Sequence, residues 1–170
     1  MYKINDRVIY GTEGVCTVTE IAERTFGNTT DVYYVLKPMN KNGSTIMLPV
    51  SNFALVSRLK RVLTASELRQ LIADTRTAAG ADWIENEKQR KEHYRALLMN
   101  CEREELVRHI KSLRERSEEQ KRIGKRLHAC DERFLEDAER MLHDELSVVL
   151  GIPREEIRAY ILDAVLNREA

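Results

Sequence analysis

The period of the apolar residues changes once along this 170-residue chain, and that change limits what it can fold into. Up to about residue 57 the pattern is short, alternating and broken by glycines; from residue 64 it is helical. Val8-Ile9-Tyr10 is a β-prone run, and Gly11-Thr12-Glu13-Gly14 follows as a turn whose glycines reach positive φ. Residues 15–21 alternate, with Val15, Thr17, Thr19 and Ile21 on one face and Cys16, Val18 and Glu20 on the other. Gly27-Asn28 precedes Val32-Tyr33-Tyr34-Val35-Leu36, and Asn40-Lys41-Asn42-Gly43 predicts a second turn before Thr45-Ile46-Met47-Leu48. Pro49 lacks an amide hydrogen, so it ends that run and suits a sheet edge. Phe53-Ala54-Leu55-Val56 is expected as a last short strand. Residues 1–57 therefore predict a small twisted antiparallel barrel or half-barrel of about five strands.

Residues 64–170 predict an α-helical bundle, making the chain an α+β protein with two domains. Thr64-Ala65-Ser66-Glu67 has the form of a capping box, in which the hydroxyl caps an early amide and Glu67 reaches back. Leu68, Leu71, Ile72 and Thr75 make one face of the helix that follows, and Gly80 ends it. Asp82-Trp83-Ile84-Glu85 reads as a second cap, opening a helix to about Met99 with Tyr94, Leu97 and Leu98 packed near its far end. A third helix carries Leu106, Val107, Ile110 and Leu113. After Gly124, Asp131-Glu132 starts a fourth with Phe134, Leu135, Ala138, Met141, Leu142 and Val149 inward. Gly151 stops it. Pro153 suits the first position of a tail helix carrying Ile157, Ile161, Val165 and Leu166; the role of residues 151–170 is not legible.

Charge is high but balanced: charged residues are 33% of the chain and the formal net charge is zero. The balance is uneven. Arg108, Lys111, Arg114, Arg116, Lys121, Arg122, Lys125 and Arg126 face only Glu115, Glu118 and Glu119 over residues 108–126. Such a stretch reads either as a solvated helix face or as a surface that contacts an anion, with Lys121, Arg122, Lys125 and Arg126 as its candidate nucleic-acid contacts. Three scattered cysteines without a CxxC fit a reducing cytoplasm. No apolar run approaches the roughly 18 residues of a membrane span, so no membrane association is expected.

Nothing in the chain asks for catalysis. There is no phosphate-binding glycine loop, no GxSxG and no HExxH, and His93, His109, His128 and His143 are dispersed. His128-Ala129-Cys130 lacks the second ligand pair a zinc site needs. Neither a metal nor a cofactor is expected. A methyl-lysine cage from Tyr10, Phe26, Tyr33 and Tyr34 is disfavoured, because adjacent Tyr33 and Tyr34 point to opposite faces of a strand. Trp83, the single tryptophan, stands out instead. Its neighbours from Glu85 to Glu92 are polar, whereas an indole normally dominates a core or an interface. It reads as a residue that packs onto something other than this chain.

Asn5-Asp6-Arg7-Val8-Ile9-Tyr10-Gly11-Thr12-Glu13-Gly14-Val15 resembles the opening of the CarD/CdnL family of bacterial transcription regulators. The likeness runs on through Glu23-Arg24-Thr25, Tyr34-Val35-Leu36-Lys37 and Thr45-Ile46-Met47-Leu48-Pro49-Val50, with Trp83 at the family's single tryptophan. Leu127-His128-Ala129-Cys130-Asp131-Glu132, then Ala138, Leu142 and Glu145, looks like the family's last core helix. The resemblance implies a Tudor-like module that binds the RNA polymerase β subunit, largely by pairing a strand edge. Arg24, Thr25, Thr45, Ile46, Met47, Leu48 and Pro49 would form that contact. It implies a helical domain on promoter DNA at the upstream fork, with Trp83 wedged into the minor groove and Lys88, Arg90 and Lys91 beside it. The outcome is a stabilised open complex. Here Glu85 and Glu87 occupy the turn after the tryptophan, where some relatives are basic, and Met47 replaces a basic edge residue. A monomer in the cytoplasm, held at the nucleoid through polymerase, is expected. The competing reading is a protein–protein adaptor with Trp83 as an interface anchor.

Overall fold

The computed structural model describes residues 1–39, 44–77 and 79–166, and of residues 75, 76 and 162–166 the backbone alone. The turn expected at Asn40 to Gly43, and the side chains of Thr75, Val165 and Leu166, lie outside the described residues. The chain divides into two compact units, Met1–Val62 and Leu63–Ala170. No helix among the described residues is long and apolar enough to cross a membrane.

The first unit is a five-stranded antiparallel sheet: β1 Arg7–Tyr10, β2 Val15–Phe26, β3 Thr29–Pro38, β4 Ile46–Pro49 and β5 Leu59–Arg61. The strand order is β4-β3-β2-β1-β5, which leaves β4 and β5 on the edges. Gly14 turns the chain into β2 at φ 73°, a conformation that favours glycine. One face buries Val8, Cys16, Val18, Tyr34, Leu36, Leu48 and Leu59.

Two expectations for this unit are corrected. Val18 pairs with Leu36 and Glu20 with Val35, so Thr19 is the extra residue of a β-bulge. Its hydroxyl donates to the Val35 carbonyl at 3.1 Å. The bulge resets the alternation, and Ile21 packs on the Cys16 and Val18 face instead of the opposite one. The last strand is likewise not at residues 53–56, which form a helical turn, α1 Phe53–Val56. The Asn52 carboxamide accepts from the Leu55 amide at 3.1 Å and caps that turn. The fifth strand is β5, three residues further on.

The second unit holds α2 Ala65–Thr77, α3 Glu87–Asn100, α4 Arg103–Arg122, α5 Ala129–Leu150 and α6 Arg154–Leu166. The capping box forms as its residues predict: Thr64 donates its amide to Glu67 at 2.8 Å, and Glu67 donates its amide to the Thr64 hydroxyl at 3.2 Å. Leu68, Ile72, Leu146 and Ile157 make a core shared by α2, α5 and α6. Tyr94 of α3 stacks on Phe134 of α5 with ring centroids 4.0 Å apart. Glu145 is fully buried, and its charge is matched. It accepts two bonds from the Arg103 guanidinium, at 2.7 and 2.8 Å, and one from the Leu63 amide at 2.8 Å. That fixes α4, α5 and the start of the unit to one another, because an unmatched buried carboxylate is strongly unfavourable.

Candidate nucleic-acid interface

Trp83 is not on a helix. The expected cap at Asp82 does not form; α3 starts four residues later, where the Asn86 carboxamide accepts from the Gln89 amide at 3.0 Å. Asn is among the strongest helix-capping residues, and it leaves residues 79–85 as a non-helical strip. The strip lies on α4 through its backbone. Ala81 donates to the Arg108 carbonyl at 3.4 Å, and the Ser112 hydroxyl donates to the Ala81 carbonyl at 3.1 Å. The Arg108 guanidinium donates to the carbonyls of Ala79 and Gly80. Glycine at position 80 allows this approach, since a β-carbon there would displace the Ser112 hydroxyl.

The indole, expected to lack partners within the chain, has two. The Arg90 guanidinium lies over it at 4.3 Å from the ring centroid and the Arg116 guanidinium at 3.7 Å. Both are within the range of a cation–π attraction. The void left beside the ring is about 10 Å³, at the limit of what one water occupies. Trp83 is therefore half-buried and held in one orientation rather than loosely displayed.

Arg90 is removed from the set expected to face DNA. Its side chain is only 3% exposed, and all its donors turn inward. It makes a bidentate pair with Asp131 of α5, at 2.7 and 3.2 Å, and donates to the carbonyls of Ile84 and Glu85 at 2.8 and 3.2 Å. The Asp131 bond raises the guanidinium's pKa further, while burial opposes it. The pair also shapes its surroundings: burial first, then the Asp131 charge, pushes the Cys130 thiol up, and the same two causes push Tyr94 up. Arg90 ties the Trp83 strip, α3 and α5 together.

The other candidates differ in how free they are. Lys91 is exposed but paired with Glu87 at 2.5 Å, one turn earlier on α3. Lys88 is exposed and has no ion-pair partner among the described residues. Lys121 pairs with Glu118 at 2.8 Å, with both side chains largely in solvent. Arg122, Lys125 and Arg126 are exposed around the turn from α4 to α5, where Gly124 takes φ 72°. Ile123, 62% exposed, projects among them. Arg116 and Arg122 are six residues apart on α4, about 9 Å along its axis, so the indole and the basic turn share one end of this unit. The clamp's second cation, Arg116, was in the basic run but nothing in the sequence paired it with Trp83. The helical spacing of His109, Ser112, Leu113 and Arg116 was the available signal.

On the sheet, β4 has one open edge. Val50 donates to the Val32 carbonyl at 2.8 Å, and Leu48 stands opposite Tyr34. The alternation of an antiparallel ladder then makes Leu48 and Ile46 bond inward to β3. Met47 directs its N–H and C=O outward, whereas the Pro49 carbonyl accepts from the Asn52 amide at 3.1 Å. Thr45 precedes the strand and is exposed. The Leu48 side chain belongs to the core, at 1% exposure, so only its backbone lies on β4. Met47, 44% exposed, shows its side chain to solvent. Arg24 pairs with Glu20 at 2.7 Å and stands across from Asp31 of β3, whose carboxylate accepts from Ser51 just past β4. Thr25 and Thr30 share a hydroxyl bond at 2.9 Å.

Residues 2–60 match the model of the CarD-like/TRCF RID domain family. Over 160 residues the chain is 25% identical to the Bacillus subtilis (strain 168) protein named "Putative transcription factor YdeB". That alignment covers 94% of this chain and 99% of the relative.

Proposed function

Since residues 2–60 match the model of the CarD-like/TRCF RID domain family, we propose that the chain regulates transcription initiation by joining RNA polymerase to the upstream fork of a promoter bubble. In this reading the β4 edge pairs with a strand of the polymerase β subunit. Met47 offers a donor and an acceptor to that strand, and specificity comes from the side chains around it. Arg24 and Thr25 flank the contact. The helical unit then meets DNA with Trp83, while Lys88 and the cations of the α4–α5 turn lie along phosphates.

The observation that carries the proposal is the double clamp on Trp83. An apolar wedge unstacks bases at a cost of about a few kcal/mol per step, and a fork edge lowers that cost. A side chain already held in one orientation loses little further freedom on binding. Of the clamp's two guanidiniums, Arg116 alone is half-exposed, beside the place where a phosphate backbone would pass. Glu85 and Glu87 oppose this, so intrinsic DNA affinity is weak and salt-sensitive. Polymerase binding offsets the weakness by raising the effective concentration at the fork.

Trp83→Ala should leave capture of the β subunit intact and shorten open-complex lifetime by about tenfold or more, the equivalent of roughly 1.4 kcal/mol at the wedge. Dissociation kinetics on a short-lived promoter measure this. Unchanged lifetimes with retained polymerase binding would reject the wedge and favour the adaptor reading.

A further inference from the structure

We propose that the cavity between α2, α4, α5 and α6 binds an amphipathic anion, a free carboxylate with an unbranched aliphatic chain. The cavity measures about 510 Å³, within the range of small-molecule sites. It does not touch the Trp83 clamp. His109, Ser112 and Arg116 of α4 face the clamp, whereas Ile110, Lys111 and Arg114 face the cavity, on the opposite side of the same helix.

Its depth is apolar. Leu68, Ile72 and Leu146 form the floor and are almost fully buried, while Leu71, Ile110 and Ile161 are half-buried and face open space. Side chains lining a void lose dispersion partners, and an apolar cavity stays dry and accepts apolar ligands. A methylene chain supplies those partners.

The rim is cationic. Lys111, Arg114 and Arg158 stand there, with Glu139 the one carboxylate among the described residues that line it. Arg114 and Glu139 meet in a bidentate pair at 2.6 and 2.5 Å, which leaves Arg158 as the exposed rim cation without an ion-pair partner among the described residues. His143, also on the rim, has its pKa lowered by burial and adds no charge near neutral pH. An apolar depth under a positive mouth selects a ligand with a long apolar body and a negative end. A neutral alcohol of equal length satisfies half of that demand, and an anion without a chain the other half.

Calorimetric titration of the full chain with octanoate, decanoate and dodecanoate, each below its micelle concentration, tests this. One-to-one binding is expected, tightening with length by up to about fourfold per methylene. Dodecanol should bind at least tenfold more weakly than dodecanoate. Arg158→Glu should weaken dodecanoate severalfold. Ile110→Trp, which fills the cavity, should abolish binding while thermal unfolding stays cooperative; Leu71→Trp serves if that variant fails to fold. Absent binding, equal affinity for dodecanol, or undiminished binding in a folded cavity-filled variant each overturn the proposal. So does capture by phosphatidylglycerol vesicles without binding of the free acids. None of these outcomes depends on DNA or polymerase.

Discussion

Two basic regions lie at one end of the helical unit, and they use their charge in opposite ways. Around Trp83, Arg90 is buried and bonded to Asp131 and to two backbone carbonyls. Around the α4–α5 turn, Arg122, Lys125 and Arg126 are exposed in solvent. Arg90 and Arg122 were indistinguishable as charges in a sequence. The difference is geometric: a guanidinium is rigid, permanently charged and five-donor, so it can act as an internal fastener when a carboxylate meets it in the core. Charge that grips the indole and charge left in solvent are separate assets of the same surface.

The contrast is most exposed at Arg90. Arg90→Met should destabilise the helical unit by about 3–5 kcal/mol, because Asp131 is left buried and unpaired. Urea unfolding measures it, and a variant of full stability with only weaker DNA binding would erase the distinction between the two regions. Arg116→Ala should do less. It removes one half-exposed cation–π contact, worth about 0.5–1 kcal/mol, and frees the indole. The emission of the single tryptophan should shift to the red and its anisotropy should fall; unchanged spectra would mean that Arg90 alone orients the ring. Lys125→Glu should have the smallest effect on the fold, within about 0.5 kcal/mol. Its mark should be on binding: a salt dependence of promoter affinity reduced by about one phosphate contact, equally across sequences. A loss confined to one promoter sequence would place Lys125 on a base edge instead.

How far the fold was legible depended on the range of the interaction that decides each feature. The capping box at Thr64 and Glu67, the left-handed glycines at 124 and 151, and the alternation of β1 and early β2 are settled within a few residues, and all could be read. The helix at 53–56 was missed although it too is local: Asn52 caps it, but four β-tolerant apolar residues outweighed that cue. Asn86 won over Asp82 as the start of α3 because residues 79–85 gain more from bonding to α4 than from one more helical turn. The bulge at Thr19 could not be read, since alternation carries no sign of a skipped partner. Of the candidate site, Trp83 and the basic turn were visible as an unusual residue and an unusual run. Their meaning was not, because Arg90 looks solvated in a polar helix until Asp131 is brought to it.

The sequence by itself determined the order of the molecule: a β unit and then helices, where most of those helices stop, and that one indole precedes a polar helix. These follow from residue spacing and backbone preference, which act over one or two turns. Only the tertiary structure decided that the indole is gripped, that Arg90 is a fastener and not a contact, and that α4 separates the clamp from an open apolar cavity. Arg90 and Asp131 are 41 residues apart, and a bond over that distance exists only once the core between them has packed.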